Sequence, residues 1–374
     1  MKFSRILSKA LGQRECDAVG VYGVLGLLHL GKVMFTRFVM LASASLVFAA
    51  CSEPEGALAQ QSAEPSNIEG SLFVANKFGN TLSKVDLSSG EEVLRRESCT
   101  NPHELATSPD GKHVALACYG GTTVDVFSTS DLERVTSIDL GDNARPHGIV
   151  WHASGAIYSS AEGRESIFKI SDPLSEESQL TEFKTNKRGS HMVAVAPDES
   201  AAWTTDLGSK TVTRIDLVGE VGPFSVAVGE EPEGISLKPD GSALWVSARG
   251  SNEAYELDPD TMEVRRTVKV GNFPLRLAIH PDREFAITSD LFDGGLSVID
   301  IQLGTKARVI PVSSPEEAED RVQVTILWSP DGERIYVAET GSDTIAEVDF
   351  EQARVLRRFS VGDGGDGMAI LGAQ

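Results

Sequence analysis

Three of the seven histidines in the chain recur at a constant spacing. His103, His147 and His191 are each 44 residues apart, and Glu233 follows 42 residues later. Imidazole nitrogens and carboxylate oxygens are ligands for zinc and similar divalent cations. An imidazole is also a general acid or base near neutral pH. The spacing therefore indicates a candidate site, provided that the fold brings the four side chains together.

The same spacing runs through most of the chain as a repeat. Its copies combine an apolar strand, a Pro-Asp-Gly-type turn and two further strands, as in ATSPDGKHVALACYGGTTVDVF and LWSPDGERIYVAETGSDTIAEVD. Each period has room for four short strands with two-residue alternation, which is typical of a propeller blade. An anchor position seven residues before the turn recurs every 42 to 49 residues, at Pro102, Pro146, Ser190, Pro232, Pro274, Gln323 and Asp366.

The number of repeats predicts how the ring closes. Six full repeats span residues 102–362, the opening segment 71–99 supplies three strands, and the closing segment 367–371 supplies one. Joined together, the two partial segments form a seventh blade and leave no open sheet edge. We therefore predict an all-β fold over residues 71–374, a seven-bladed β-propeller with four antiparallel strands per blade. The insertion at 313–321 (SSPEEAEDR) is expected to be an acidic surface loop.

The blade geometry predicts where a site would lie. The starts of the inner strands and the turns between second and third strands share one face of the ring. The residue after the anchor is His103, His147, His191 and Glu233 in four successive blades, so these side chains should meet at the mouth of the central channel as a possible divalent-metal site. The catalytic candidates are the three histidines and Arg276. The ligand-binding candidates on this face are Glu104, Asp206, Glu233, Arg249, Arg276, Asp290 and Glu339.

A structural interpretation of the histidines stays open. Tandem duplication could copy one histidine that caps a strand into the neighbouring blades, where it would bond inter-blade loops. The Pro-Asp-Gly turns lie on the opposite face and need no function beyond tight turns. His113, His152 and His280 fall near that face and are expected to be solvated turn residues.

The strand-turn-strand segments FVANKFGNTLSKVDL and YVAETGSDTIAEVDF resemble the YVTN-type repeat of YncE-like exported proteins, and the resemblance covers residues 71–372. It implies the propeller fold and no single activity, because propellers carry unrelated functions. The Pro-His-Gly and Pro-Glu-Gly segments at 146–148 and 232–234 are similar to inner-strand repeats of propeller lactonases and streptogramin-lyase-like proteins. That similarity implies a hydrolase or lyase acting on a small cyclic substrate.

The N-terminal region reads as an export signal. Residues 38–50 (FVMLASASLVFAA) are uncharged and follow Lys32 and Arg37, a pattern typical of a signal segment and short for a membrane span. A longer anchor that includes residues 18–31 is the competing interpretation, which the two basic residues interrupt. We assign residues 1–50 to targeting, with Met34 as a second candidate start.

Two processing sites follow the apolar segment. Phe48-Ala49-Ala50-Cys51 resembles a bacterial lipobox, which would place lipid on Cys51, whereas cleavage after Ala59 would release a protein without an anchor. Residues 51–70 are polar and contain proline, as expected of a flexible tether. We expect a periplasmic, outer-membrane or cell-surface location, with membrane contact only through the lipid.

Charge and cysteine content restrict the partners. The chain has a formal net charge of −21, and residues 51–374 carry −25. Such an acidic body repels phosphate backbones and argues against nucleic-acid binding. Cys99 and Cys118 could form a disulfide in an exported domain or remain free thiols. P-loop, GxGxxG, CxxC, CxxCH and GxSxG motifs do not occur in the sequence.

Together these features favour an exported monomeric scaffold that binds a small molecule or a partner protein at the channel mouth. The alternative is a lactonase-like hydrolase or lyase, with a divalent metal as a possible cofactor. A third possibility is a component of a periplasmic redox system, although the sequence contains no haem or quinone motif that supports it.

Overall fold

The computed structural model describes residues 68–219 and 221–372 of the protein. These residues form seven four-stranded antiparallel sheets, so the predicted seven-bladed β-propeller is confirmed. The signal segment, Cys51 and residues 51–67 of the tether lie outside the described residues. Within the described part of the chain, no helix has the length and apolar character needed to cross a membrane.

The strands follow one another from the channel outward in each blade. Blade 1 contains β1 (Gly70–Asn76), β2 (Thr81–Asp86) and β3 (Glu92–Glu97). Blade 2 contains β4 (Pro102–Thr107), β5 (His113–Cys118), β6 (Thr123–Ser128) and β7 (Arg134–Asp139). Blade 3 contains β8 (Pro146–Trp151), β9 (Ile157–Ala161), β10 (Ser166–Ser171) and β11 (Gln179–Lys184). Blade 4 contains β12 (Ser190–Val195), β13 (Ala201–Asp206), β14 (Thr211–Asp216) and β15 (Phe224–Ala227).

The remaining blades continue the same order. Blade 5 contains β16 (Pro232–Leu237), β17 (Leu244–Ala248), β18 (Glu253–Leu257) and β19 (Val264–Lys269). Blade 6 contains β20 (Pro274–Ile279), β21 (Phe285–Asp290), β22 (Gly295–Asp300) and β23 (Thr305–Pro311). Blade 7 contains β24 (Gln323–Trp328), β25 (Arg334–Glu339), β26 (Thr344–Asp349) and β27 (Arg354–Ser360). The last strand, β28 (Gly365–Gly372), is the inner strand of blade 1.

The ring is closed by pairing between the two ends of the domain. β28 pairs antiparallel with β1, with Leu72 opposite Ile370 and Val74 opposite Met368. The inner strands contact one another in sequence around the ring, and β24 contacts β28. Seven buried apolar clusters each join two neighbouring blades, for example Phe73 of blade 1 with Leu116 of blade 2. Each blade therefore depends on its neighbours for a core.

Each inner strand begins with the same backbone irregularity. We number positions from the first residue of each inner strand. The residue immediately before this first position has a positive φ in every blade, at Asn101, Arg145, Gly189, Glu231, Phe273, Val322 and Gly364. After the first position, a β-bulge places two residues opposite one, as where Pro102 pairs with Cys118 and Leu105 pairs with Leu116. The bulge breaks the two-residue alternation of side chains. The second and third residues of each inner strand can therefore both be aimed at the channel.

This register corrects the predicted anchor of the closing blade. Gly365 pairs with Asn76 at the first position, one residue before the predicted anchor at Asp366. The residue equivalent to His103 is therefore Asp366 rather than Gly367. Gly367 occupies the third position, where an added Cβ would lie 2.0 Å from the His103 carbonyl oxygen. No Pro-Asp-Gly-type turn follows this inner strand in the sequence, so the marker from which the other anchors were counted is missing here.

Two further expectations were wrong. The insertion expected as a loop contains a short helix, α1 (Pro315–Arg321), whose N-cap Ser314 and third residue Glu317 form a capping box. His280 is 2% exposed, its ring lies 4.6 Å from that of Trp328, and its Nε2 is 3.1 Å from the Gly332 carbonyl oxygen. It is a buried residue that links blades 6 and 7 rather than a solvated turn residue.

Candidate functional site

The three repeated histidines lie side by side at the channel mouth. The ring centroids of His103 and His147 are 4.6 Å apart, and those of His147 and His191 are 3.7 Å apart. His191 Nε2 lies 3.5 Å from Oε1 of Glu233, the next member of the ring. All four side chains are at least nine-tenths buried. The structure thus brings together the four residues at the second position of blades 2 to 5.

The three imidazoles differ in protonation. Burial lowers the pKa of His103 to about 3, with a further contribution from the Lys77 charge. Burial and the neighbouring histidines hold the pKa of His147 well below its ordinary value. Burial also opposes charge on His191, but the carboxylates of Glu162 and Glu233 outweigh it and raise the pKa. The mouth therefore combines two neutral imidazoles with one that favours the cationic form.

Hydrogen bonds fix two of the rings. His103 Nδ1 donates to the Asn101 carbonyl oxygen at 3.1 Å, and His191 Nδ1 donates to Glu162 Oε1 at 3.1 Å. Nδ1 of His147 is buried without a hydrogen-bond partner among the described residues, and the same holds for Nε2 of His191. Buried polar atoms without partners are uncommon in folded proteins. These two nitrogens therefore indicate a place for a bound molecule or water.

Residues that directly follow the second strands of blades 2 and 3 contact the histidines. Tyr119 follows β5, and its ring centroid lies 4.5 Å from that of His103 and 5.3 Å from that of His147. Its hydroxyl donates to Glu162 Oε2 at 2.5 Å and accepts from Arg145. Glu162 occupies the equivalent position after β9, and its carboxylate bonds both Tyr119 and His191.

Arg276 lies across the channel below the mouth. It is the third residue of β20 in blade 6, and its guanidinium donates to Glu104 Oε1 of blade 2 at 2.7 Å. The same group donates to Glu233 Oε1 at 2.5 Å, and Arg249 donates to the other Glu233 oxygen. Burial opposes these charges, but the arginines hold the pKa of Glu233 well below its ordinary value. Blades 2 and 6 are not neighbours, so this ion pair spans the channel.

The closing blade contributes an ion pair that sequence analysis missed. Lys77 Nζ lies 3.1 Å from Asp366 Oδ2, and both side chains are buried. Asp366 Oδ1 is a third buried atom without a partner among the described residues. Burial opposes charge on Asp366, but Lys77 and its neighbours lower the pKa below its ordinary value. With the corrected register, Asp366 stands beside His103 in the ring of second positions.

Three of the predicted ligand-binding carboxylates lie inside the blades. Asp206 Oδ2 accepts from Thr211 at 2.8 Å and from Thr213 at 2.5 Å. Asp290 accepts from Thr288 at 2.7 Å and from Ser297 at 2.6 Å. Glu339, at the equivalent position, accepts from Thr344 and pairs with Arg321 and Arg358.

These residues end the second strand, one position before Tyr119, Glu162 and Arg249. Their oxygens bond the neighbouring third strand, so we do not include them in the candidate site. The one-residue offset separates carboxylates that hold a blade together from side chains that reach the mouth.

Cys99 and Cys118 form a disulfide with a Cα separation of 5.7 Å. Cys118 ends β5 and immediately precedes Tyr119, so the disulfide joins blade 1 to the strand that positions this ring of the site. Cys99, Cys118 and Asp125 are also the one group in the described residues whose three ligand atoms lie within 4.8 Å of one another. The two sulfur atoms already bond each other, so neither is available as a thiolate ligand for a metal.

The glycines of the Pro-His-Gly and Pro-Glu-Gly segments have a packing reason. A Cβ at Gly148 would lie 2.8 Å from the Met192 Cα, and a Cβ at Gly234 would lie 2.5 Å from the Leu277 nitrogen. Both glycines occupy the third position, where the neighbouring inner strand approaches closely. The glycines of these tripeptides therefore have a role in packing the inner strands around the channel. The residue between proline and glycine, His147 or Glu233, is the one whose side chain differs between the blades.

Similar structures exist, although no family model and no curated protein sequence matches the chain. A functionally unknown protein from Desulfotomaculum acetoxidans is 12% identical with a TM-score of 0.68, covering 82% of this chain and 100% of that one. Virginiamycin B lyase from Staphylococcus aureus is 16% identical with a TM-score of 0.61, covering 75% and 92%. The dihydro-heme d1 dehydrogenase NirN is 14% identical with a TM-score of 0.56, covering 80% and 75%. At these identities the likeness shows the seven-bladed β-propeller fold alone.

Proposed function

We propose that the protein is a binding propeller whose channel mouth holds a small polar ligand against His103, His147 and Tyr119. The observation that carries this proposal is the row of three imidazoles from adjacent blades, beside two buried atoms, Nδ1 of His147 and Oδ1 of Asp366, that have no hydrogen-bond partner among the described residues. A ligand that donates and accepts hydrogen bonds would satisfy them.

The charges around the mouth favour a ligand without net charge. Arg276 is paired with Glu104 and Glu233, and Lys77 is paired with Asp366. A charged ligand would have to separate one of these buried pairs, which costs several kcal/mol. The neutral rings of His103 and His147 remain available to bond a polar group or to stack on a planar one.

The test is to identify what the protein carries from its native host. The purified protein is desalted and denatured, and the released small molecules and metals are measured by mass spectrometry. We expect a stoichiometric component in wild type that is lost in His147→Ala and retained in the control His152→Ala, on the opposite face. A wild-type protein that releases nothing and gains no thermal stability from δ-valerolactone or zinc chloride would overturn the proposal.

A metal-dependent hydrolase or lyase is the second candidate. The Nδ1 atoms of His103 and His191 are held by a carbonyl and a carboxylate, as in histidines that bind metals through Nε2. In the described residues, however, the nitrogens of the three histidines and the Glu233 oxygens do not include three atoms within 4.8 Å of one another. A metal would therefore require ring rotation and loss of a proton from His191. Zinc titration by calorimetry and a lactone hydrolysis assay test this candidate. Both zinc binding and hydrolysis should be lost in His103→Ala, which removes one of the proposed ligands.

We further propose export with a lipid anchor on Cys51. The disulfide between Cys99 and Cys118 supports this, because disulfides persist in oxidising compartments. Membrane fractionation of wild type and Cys51→Ala tests the anchor. We expect wild type in the membrane fraction and the variant in the soluble periplasmic fraction. If both fractionate as soluble proteins, the anchor is excluded and cleavage after Ala59 is preferred.

A further inference from the structure

The face opposite the mouth contains a cavity, which lies between blades 2 and 3. Its volume is about 480 Å³, within the range of small-molecule sites. It is formed by the β4–β5 turn of blade 2 and by the β8–β9 and β10–β11 turns of blade 3. We call it the turn-face cleft, and the residues that matter for its chemistry are Pro109, Asp110, Trp151, Asp172, Pro173 and Leu174.

The aromatic wall of the cleft is Trp151. Its ring packs against the buried cluster shared by blades 2 and 3, and its indole N–H donates to the Gly155 carbonyl oxygen at 3.0 Å. Because the N–H is already bonded, a ligand in the cleft would meet the ring rather than its polar edge. Pro173 and the half-exposed Leu174 complete the apolar lining.

The rim of the cleft is acidic. Asp110 of blade 2 and Asp172 of the neighbouring blade 3 line it, and both side chains are exposed. Lys112 Nζ lies 4.0 Å from Asp110 Oδ2, an exposed contact that solvent screens. The hydrogen bond from Ser108 lowers the pKa of Asp110, so it is ionised at neutral pH. An aromatic ring with carboxylates beside it attracts cations, because the ring face carries negative potential. The net charge of −25 on residues 51–374 adds a long-range attraction of the same sign.

We propose that the turn-face cleft binds a small organic cation, an alkylammonium group whose carbon body lies on Trp151 and whose charge lies between Asp110 and Asp172. The apolar lining takes the methyl or methylene groups, and the two carboxylates balance the charge. This site is separate from the channel mouth, so its occupancy does not depend on the function proposed there.

The tryptophan content makes this proposal directly measurable. The chain has four tryptophans, and Trp203, Trp245 and Trp328 are all buried. Trp151 alone is partly exposed. Quenching or a spectral shift of tryptophan fluorescence on ligand addition therefore reports on the cleft. The experiment titrates the exported protein with tetramethylammonium chloride, with sodium chloride and 2,2-dimethylpropanol as the ionic and uncharged controls.

We expect a saturable fluorescence change with tetramethylammonium and none with either control. Asp172→Asn keeps Trp151 and should weaken binding about fivefold. Asp260→Asn, on the same face but in another cleft beside Trp203, is the matched control and should bind as wild type does. Calorimetry on Trp151→Leu provides a readout without fluorescence, and there binding should be lost. An equal response to the uncharged compound, or unchanged affinity in Asp172→Asn, would overturn the proposal.

Discussion

Asp290 should make the propeller less stable as the pH rises. Its carboxyl group ends β21 and is 1% exposed. Burial raises its pKa from 3.8 to about 7, and the nearby Asp293 adds to the effect whereas Lys306 opposes it. The hydroxyl groups of Thr288 and Ser297 donate hydrogen bonds to the carboxyl oxygens.

The sign follows from proton linkage. Between pH 4 and pH 7 the unfolded chain releases the Asp290 proton, whereas the folded chain retains it. Unfolding is therefore promoted as the pH rises through this range, by about 1.4 kcal/mol per pH unit, and the effect levels off above pH 7. From pH 5 to pH 8 the loss of unfolding free energy from this residue is about 3 kcal/mol. Asp206 has the same environment, and burial raises its pKa to about 6.

The substitution Asp290→Asn removes the titration and keeps the shape. The chain provides a precedent at the equivalent position of blade 1, where Asn76 Nδ2 donates to Thr81 at 2.8 Å and to Ser83 at 2.7 Å. We expect the variant to gain about 3 kcal/mol over wild type between pH 5 and pH 8, because only wild type deprotonates in the folded state.

Urea unfolding followed by circular dichroism at four pH values measures the effect. The comparison is made above pH 5. Carboxylates with lowered pKa values, such as Glu162, stabilise the fold fully in that range, and their contribution to the unfolding free energy is lost only as the pH falls towards 4 and below. The reverse substitution Asn76→Asp is the matched control and should introduce a penalty of the same sign. A stability difference between wild type and Asp290→Asn that does not change with pH would refute the reasoning.

Three other predictions concern the channel and the ring closure. Arg276→Met leaves buried carboxylates uncompensated and should lower the unfolding free energy by about 3–5 kcal/mol, with partial recovery on adding Glu104→Gln, as measured by urea unfolding; an unchanged midpoint would contradict the pairing. Replacing Cys99 and Cys118 together by serine should cost about 3 kcal/mol and should alter the Tyr119 environment in near-UV circular dichroism; matching wild-type unfolding curves would exclude a stabilising disulfide. Truncation after Gly364 removes β28 and should abolish cooperative thermal unfolding in calorimetry, whereas a single sharp transition would show that the ring does not depend on this strand.

The fold could be predicted from the sequence because each blade repeats its own turn and strand signals. Pro109 with Asp110 and the equivalent turns mark the blades, and the constant spacing fixes the ring. The positions of His103, His147 and His191 followed from the same repeat. Each is the second residue of an inner strand, and rotation around the ring brings equivalent positions to one axis.

The details of the mouth could not be predicted in this way. The β-bulge that aims Glu104 and Arg276 into the channel is a backbone feature with no residue signature of its own. Tyr119 and Glu162 share the repeat position of Arg249, which could have identified them. The repeat alone does not separate this position from the preceding one, which ends the second strand. Asp206 occupies that preceding position and bonds within its own blade. A shift of one residue along a strand reverses the side of the sheet that a side chain faces.

The charge balance of the mouth leads to a final prediction that separates it from the turn-face cleft. At the mouth, Lys77, Arg276 and the cationic form of His191 each have a carboxylate partner within 3.5 Å. An uncharged ligand bound by His103 and His147 would neither form nor break an ion pair. Its affinity should therefore change less than about twofold between about 50 and 500 mM sodium chloride.

The turn-face cleft should behave differently, because its ligand carries a charge that exposed carboxylates attract. The affinity for tetramethylammonium should fall severalfold over the same salt range. Calorimetric titration of each site at the two salt concentrations measures both responses. A strong salt dependence at the mouth would contradict a neutral ligand and would favour the metal-dependent alternative, because a divalent cation must compete with the resident charges of Arg276 and Lys77. The two sites thus differ in how their charges meet solvent, because the ion pairs of the mouth are buried whereas Asp110 and Asp172 of the cleft are exposed and therefore screened by salt.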